Sequence, residues 1–245
     1  MPATEREVRV AEVVLGLARR VADVDVLDLL YDLTDQALAL LSVQGVGVTI
    51  VDARGLVRYV TASDERCRNL EEIQIELGEG PCVDSARSNS RLGPVAFGDG
   101  SPGATRWPRF AARTRAEGVV AISAVPLSMS ETTIGALNLI NTRSPLITSV
   151  DLDVAQALAS AATACFLNQH RPRDEEELVD QLRGALNNRI TIEQAKGVLS
   201  ERFHISMDDA FALLRGHARI LRLPLKDLAI ELVKGRGPSE LTPVR

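Results

Sequence analysis

The chain has 245 residues, enough for two domains with their own cores, and with aromatics at only 3% those cores must be built from Leu, Val, Ile and Ala. Its net charge of −5 hides an asymmetry: residues 1–178 carry 17 basic against 25 acidic side chains, whereas residues 179–245 carry 11 against 8, including all three lysines. Cys67, Cys82 and Cys165 show no C-x-x-C spacing, which argues against a disulfide framework or a zinc site, and the absence of histidine before His170 argues against His-ligated haem, a His-containing zinc site or a His-based catalytic triad in that part.

Val10, Val13, Val14, Leu17 and Val21 recur at helical spacing, so residues 5–22 read as an amphipathic helix that either packs on the following domain or joins a neighbour's copy. Asp25 and Asp28 open a second helical pattern with Leu29, Leu30, Leu33, Ala37 and Leu40 inside. From Gly45 the period changes to two: Val46, Val48 and Ile50, then Val57, Tyr59 and Thr61, with Asp52-Ala53-Arg54-Gly55 as the turn of a hairpin. A short helix follows Ser63, and Gly78-Glu79-Gly80-Pro81 launches another over Cys82–Ser90. Leu92–Phe97 reads as a short strand and Gly98–Gly103 as a loop that matches neither a dinucleotide nor a P-loop pattern. Trp107-Pro108-Arg109-Phe110 opens a helix to about Glu117. Val119–Leu127 and Thr133–Ile140 are the two strongest strands, and a capping box, Thr148 with Asp151, begins a long helix. The sum is an α+β domain, an antiparallel sheet flanked by helices.

Pro172 and the acidic run Asp174–Glu177 mark a junction, and Leu178, Leu182 and Ala185 make a short coiled-coil candidate, too short to hold a dimer alone. Ile192, Ala195 and Leu199 then form one apolar stripe, which Arg189, Lys196 and Arg202 avoid. Gly197 weakens its own helix by about 1 kcal/mol against Ala, so something is expected to come close there. Ser206 with Asp209 is a second capping box. Ala210, Leu213, Leu214, Ala218 and Leu221 follow as an apolar face, with Arg215, Arg219 and Arg222 as a basic stripe. Pro224 starts a third helix with Leu225, Leu228, Ala229 and Leu232 inside, and Gly235 and Gly237 stop it. These make a basic three-helix bundle.

The run Glu193-Gln194-Ala195-Lys196-Gly197-Val198-Leu199 with Ser206–Arg215 resembles the ANTAR domain over about residues 178–234. Leu77–Asp84, Trp107–Phe110 and Ile134–Leu139 resemble a GAF domain of the kind paired with ANTAR domains in actinomycetes, over about residues 26–167. The first resemblance implies an RNA-binding antiterminator that engages paired stem-loops in nascent transcripts. The second implies a PAS-like sensory or dimerising module with a pocket between the sheet and the irregular middle. The expected layout is an N-terminal helix (1–24), a GAF domain (25–168), a linker and short coiled-coil helix (169–188), an ANTAR domain (189–237) and a tail (238–245).

The RNA-binding candidates are Arg189 and Lys196, then Arg215 and Arg219, with Arg202, Arg222 and Lys226 behind them. Ala195 and Gly197 would admit the RNA backbone, though Ala195 equally suits helix–helix packing. Tyr59, Cys82, Trp107 and Phe110 are the pocket candidates for a small-molecule GAF ligand. For Cys82 the alternatives are a thiol activated at a helix start or a small buried side chain, and for Trp107 and Phe110 a pocket lining or core packing. No nucleophile–base pair or metal constellation points to an enzyme, and no cofactor is implied. The longest uncharged apolar run, Val154–Leu167, is too short to span a bilayer, and residues 5–12 lack a signal-peptide apolar region, so a soluble cytoplasmic protein is expected, and the GAF and ANTAR resemblance implies that it works as a homodimer. The GAF domain would either read a ligand or dimerise without one.

Overall fold

The computed structural model describes residues 3–18, 26–51, 57–129, 132–169 and 175–237. The chain divides into two compact units, one centred on a sheet and the other on a helical bundle.

In the first unit the described elements are α1 (Ala3–Ala18), α2 (Val26–Leu40) from Leu29 onward, β1 (Gly45–Val51), β2 (Val57–Ala62), α3 (Glu65–Leu77), α4 (Pro81–Ser88), β3 (Leu92–Ala96), α5 (Pro102–Arg106), α6 (Pro108–Ala116), β4 (Ala121–Met129), β5 (Thr132–Asn141) and α7 (Ser149–Gln169). The strands form one antiparallel sheet in the order β2-β1-β5-β4-β3. This is the architecture the alternation and helix patterns lead one to expect. The expected hairpin turn at Asp52–Gly55 lies outside the described residues.

β1 is buried on both faces, so its alternation places Val46, Val48 and Ile50 on one buried face and the small or polar Gly45, Gly47 and Thr49 on the other. On one face α3 packs against β1 and β2, and α4 against β4 and β5. Ala62, Ile122 and Ile140 of the strands meet Leu70 of α3, Phe110 and Ala111 of α6, and Phe97 there. α7 packs on β4 and β5 and is lined on its other side by α1, where Arg6 bridges to Asp151. By length and composition α7 is apolar enough to cross a membrane, but Ala155, Leu158, Ala159, Ala162 and Phe166 are buried within the unit. Its start is the expected capping box: Thr148 N donates to Asp151 Oδ2 (2.8 Å) and Asp151 N to Thr148 Oγ1 (3.2 Å).

Two elements differ from the sequence expectation. The short helix after Ser63 is a full 13 residues, because Asp64 caps it by accepting from Cys67 N (2.8 Å) and Gly78 closes it in the left-handed conformation (φ 63°). The Gly98–Gly103 loop runs into a short helix, α5, because Ser101 caps it and Pro102 sits in its first turn.

The second unit holds α8 (Glu175–Phe203), α9 (Met207–Leu221) and α10 (Leu225–Val233). α8 is one 29-residue helix, so no break separates the expected coiled-coil segment from the bundle. The side chains of Leu178, Leu182 and Ala185 lie outside the described residues. The core is the one the three stripes define, Ile192, Ala195 and Leu199 from α8, Ala210, Leu213, Leu214 and Ala218 from α9, and Leu225, Leu228, Ala229 and Leu232 from α10, except that Leu221, at the end of α9, is exposed. Ser206 caps α9 by accepting from Asp209 N (3.0 Å).

Candidate functional site

The cationic side chains of the bundle divide into an inner and an outer set. Lys196 is in the inner one. It lies four residues after Ile192 and three before Leu199, on the edge of the buried stripe. It is only 4% exposed, its Nζ donates to both carboxylate oxygens of Glu193 (2.9 and 3.1 Å), and it stands 5.3 Å from the centroid of the Phe211 ring. The guanidinium of Arg215, half-buried on α9, is also 5.3 Å from that ring. Lys196 therefore helps tie α8 to α9, and the sequence-based placement on an open cationic face is corrected: a long aliphatic stem at the stripe's border is drawn in when the facing helix supplies an aromatic ring.

Ala195 is also inside, fully buried between the helices, so the packing alternative holds for it. Gly197 differs. A Cβ added there would meet nothing within 4 Å, so no neighbour in the unit requires a glycine, and the surface over this turn is open.

Arg202, Arg219 and Arg222 form the outer set and are exposed. Arg202 lies over the ring of its neighbour Phe203. Arg222 does not continue a helical stripe through Arg215 and Arg219: it is the C-cap of α9 in the left-handed conformation (φ 54°), and its N–H and that of Leu223 close the last turn onto Arg219 O and Ala218 O. Lys226, in the first turn of α10, is half-buried. The side chain of Arg189 lies outside the described residues.

In the sheet unit, three pocket candidates are core residues. Trp107 stacks on Phe97 (6.1 Å between centroids) and Phe110 meets the same ring edge-on (5.5 Å). Cys82 is buried, and burial, reinforced by the nearby Glu71 carboxyl, pushes its thiol well above the ordinary range. The activated-thiol alternative is therefore set aside: desolvation outweighs the favourable helix start. The side chain of Tyr59 lies outside the described residues.

The motif residues around these positions act as a clasp. Glu79 accepts the first free N–H groups of α6, from Arg109 (3.0 Å) and Phe110 (3.2 Å), and Asp84 of α4 accepts from Trp107 Nε1 (3.2 Å) and Arg106 (2.6 Å). Two segments far apart in sequence are thus locked by carboxylates that the pattern Gly-Glu-Gly-Pro-Cys-Val-Asp supplies.

Sequence reasoning missed the polar group at the centre of this face. Glu71 of α3 is fully buried, and its Oε2 accepts from Asn138 Nδ2 of β5 (2.7 Å), Thr49 Oγ1 of β1 (3.1 Å) and Gln74 Nε2 (3.3 Å). Gln74 Oε1 accepts from Cys82 N (2.9 Å). Burial pushes the Glu71 carboxyl up to about 7, against the pull of its hydrogen bonds. Two glycines make the space: a Cβ at Gly47 would lie 2.4 Å from Glu71 Oε1, and one at Gly80 2.3 Å from Gln74 Oε1. The available signal was spacing, since Glu71 and Gln74 stand at i+4 and i+7 from Cys67, on the helix's inner face.

A family model described as GAF domain matches residues 25–166, more than half of the chain, and one described as ANTAR domain matches residues 180–233. Among solved structures, the GAF domain of an Acinetobacter phosphoenolpyruvate-protein phosphotransferase is similar at 15% identity with a TM-score of 0.51, covering 71% of this chain and 99% of that one. The GAF domain/HD domain protein of Geobacter sulfurreducens is similar at 18% identity with a TM-score of 0.48, covering 61% and 96%. No curated protein matches the chain.

Proposed function

The chain belongs to the GAF-domain family and carries an ANTAR domain after it, and from that premise we propose that it is a transcription antitermination regulator in which the GAF domain governs a dimeric ANTAR output that binds paired RNA stem-loops. GAF domains are sensory and ANTAR domains are RNA-binding antitermination modules; both are regulatory and not catalytic. The observation that carries the reading is the ANTAR match over a bundle whose outer arginines, Arg202, Arg219 and Arg222, are exposed, with open space over Gly197 on α8. Such arginines neutralise phosphates, and their guanidinium planes stack on unpaired loop bases. Arg189 and Arg215 join them as candidate contacts, Lys226 as a weaker one, and Lys196 supports the surface from within. Two output domains in a dimer would meet two adjacent stem-loops, which raises the effective concentration of the second contact.

A gel-shift titration of the full chain with an RNA carrying two stem-loops tests this. Binding is expected to weaken as salt rises and to weaken further in the Arg219→Ala/Arg222→Ala variant. Equal affinity of wild type and variant, or no preference for structured RNA, overturns it.

A second reading has its own support: the GAF domain dimerises without a ligand, with activity set by a partner or by abundance. It is favoured by the filling of the expected pocket side by Cys82, Trp107 and Phe110. A thermal-shift screen in which a small molecule raises the melting temperature of the full chain would remove it.

A further inference from the structure

Glu71 and Asn138 are joined at one end and open at the other. Asn138 Nδ2 donates to Glu71 Oε2 at 2.7 Å, while the other atom of each group, Glu71 Oε1 and Asn138 Oδ1, is buried and has no hydrogen-bond partner. Both unpartnered atoms are acceptors when the carboxyl is ionised. Oε2 takes three donors, which favour the charged form, but no described group offers a proton to Oε1 or to Asn138 Oδ1. One proton on Oε1 turns that atom into a donor and supplies Asn138 Oδ1 with its missing partner. Carboxylic acid and carboxamide then close the cyclic pair that these groups form when both are neutral.

The surroundings point the same way. Beside Glu71, β1 presents Thr49 and Gly47, β5 presents Asn138, α3 itself presents Gln74, and α4 presents the Cys82 thiol, which burial keeps protonated. None of these supplies a positive charge to balance a carboxylate, and an unbalanced charge in a dry interior is costly. Gly47 lies so close to Oε1 that the space on that side is closed.

We propose that the sensory domain contains a proton-binding latch, in which neutral Glu71 pairs through both oxygens with Asn138 and ties α3 to the centre of the sheet, and which opens when Glu71 gives up its proton. Protonation adds one hydron from solvent to Oε1 and makes the O–H···Oδ1 bond; deprotonation returns it and leaves Oε1 and Oδ1 as two facing acceptors. The ionised form loosens the contact of α3 with β1 and β5, so the domain's packing follows pH near neutrality.

The test is a 13C-detected titration of glutamate carboxyls in the full chain, with Glu71→Gln for assignment, alongside thermal melts of both proteins across pH. One glutamate carboxyl is expected to remain protonated at pH 6 and to be missing from the Glu71→Gln spectrum, and the wild type should lose melting temperature relative to the variant as pH rises toward neutrality. If every glutamate carboxyl completes its titration in the ordinary range, Glu71 is ionised, a bridging water satisfies the two acceptors, and the latch is overturned. Parallel melting profiles overturn it as well. Should Glu71→Gln fail to fold, the wild-type titration alone decides, since a carboxyl protonated at pH 6 is either present or absent. None of these readouts uses RNA, so the latch and the RNA-binding reading fail separately.

Discussion

Lys196 is the residue at which folding and binding roles separate most cleanly. Lys196→Ala removes three buried methylenes, about 0.8 kcal/mol each, and the cation–π contact with Phe211, about 0.5–1 kcal/mol. Glu193 keeps a 30% exposed side chain, so its carboxylate stays solvated when its partner goes and adds no large orphan-charge penalty. The bundle should therefore lose about 3 kcal/mol. Lys196→Met keeps the stem and drops the charge, and should leave the bundle within about 1 kcal/mol of wild type, since the stem still packs and the partly exposed Glu193 stays solvated. Hydrogen–deuterium exchange of the α9 and α10 amides reads the local stability and a gel shift reads RNA affinity. The expected pattern is faster exchange in the Ala variant only, with the Met variant binding RNA as the wild type does and with the same salt dependence. If both variants exchange like wild type yet lose RNA binding, and the salt slope falls by about one contact, Lys196 touches phosphate directly and the reasoning from its burial is wrong.

Other outcomes follow from the same geometry. Glu71 gives the stability a definite slope: below its ordinary value of 4.5 both folded and unfolded chains hold the proton, between there and about 7 only the folded chain does, so stability falls by about 3 kcal/mol as pH rises through that window and Glu71→Gln should flatten the curve in denaturant titrations. Gly47→Ala should cost about 2 kcal/mol or more, because its methyl occupies the place of the Glu71 carboxyl; a melting temperature equal to wild type would contradict the packing. Cys67, whose thiol burial and then Asp64 push up to about 12, should resist a thiol reagent in the native protein together with Cys82 and Cys165, all three reacting only with denaturant present. Arg222→Gly should stabilise α9 by about 0.5–1 kcal/mol in thermal melts, by relieving a left-handed arginine, while weakening RNA binding by the loss of a cation.

Much of the molecule was legible before any coordinates. The apolar stripes of α8, α9 and α10 return as the bundle core except for Leu221, which is exposed, and the alternation around Val48 and the strand read over Thr133–Ile140 return as β1 and β5. Caps such as Ser206–Asp209 and Thr148–Asp151 were readable because their partners lie three residues apart. Periodicity and capping are local properties of the chain, so a single sequence carries them.

What sequence alone left undecided was which side of a boundary an amphipathic or polar side chain takes. Lys196 sits at the margin of a stripe, and only the arrival of Phe211 from α9 draws it inside. Glu71 is one polar residue in a helix full of them until β1 and β5 close over it with Thr49, Asn138 and the space left by Gly47. Arg222 looks like the next step of a helical row until the chain turns left-handed there. Each of these depends on a partner many residues distant or on a turn made elsewhere. The sequence by itself determined the elements and their buried faces, because hydrophobic spacing acts within one helix or strand; the tertiary structure decided the fate of the charges, because desolvation and pairing depend on what the rest of the fold brings against them.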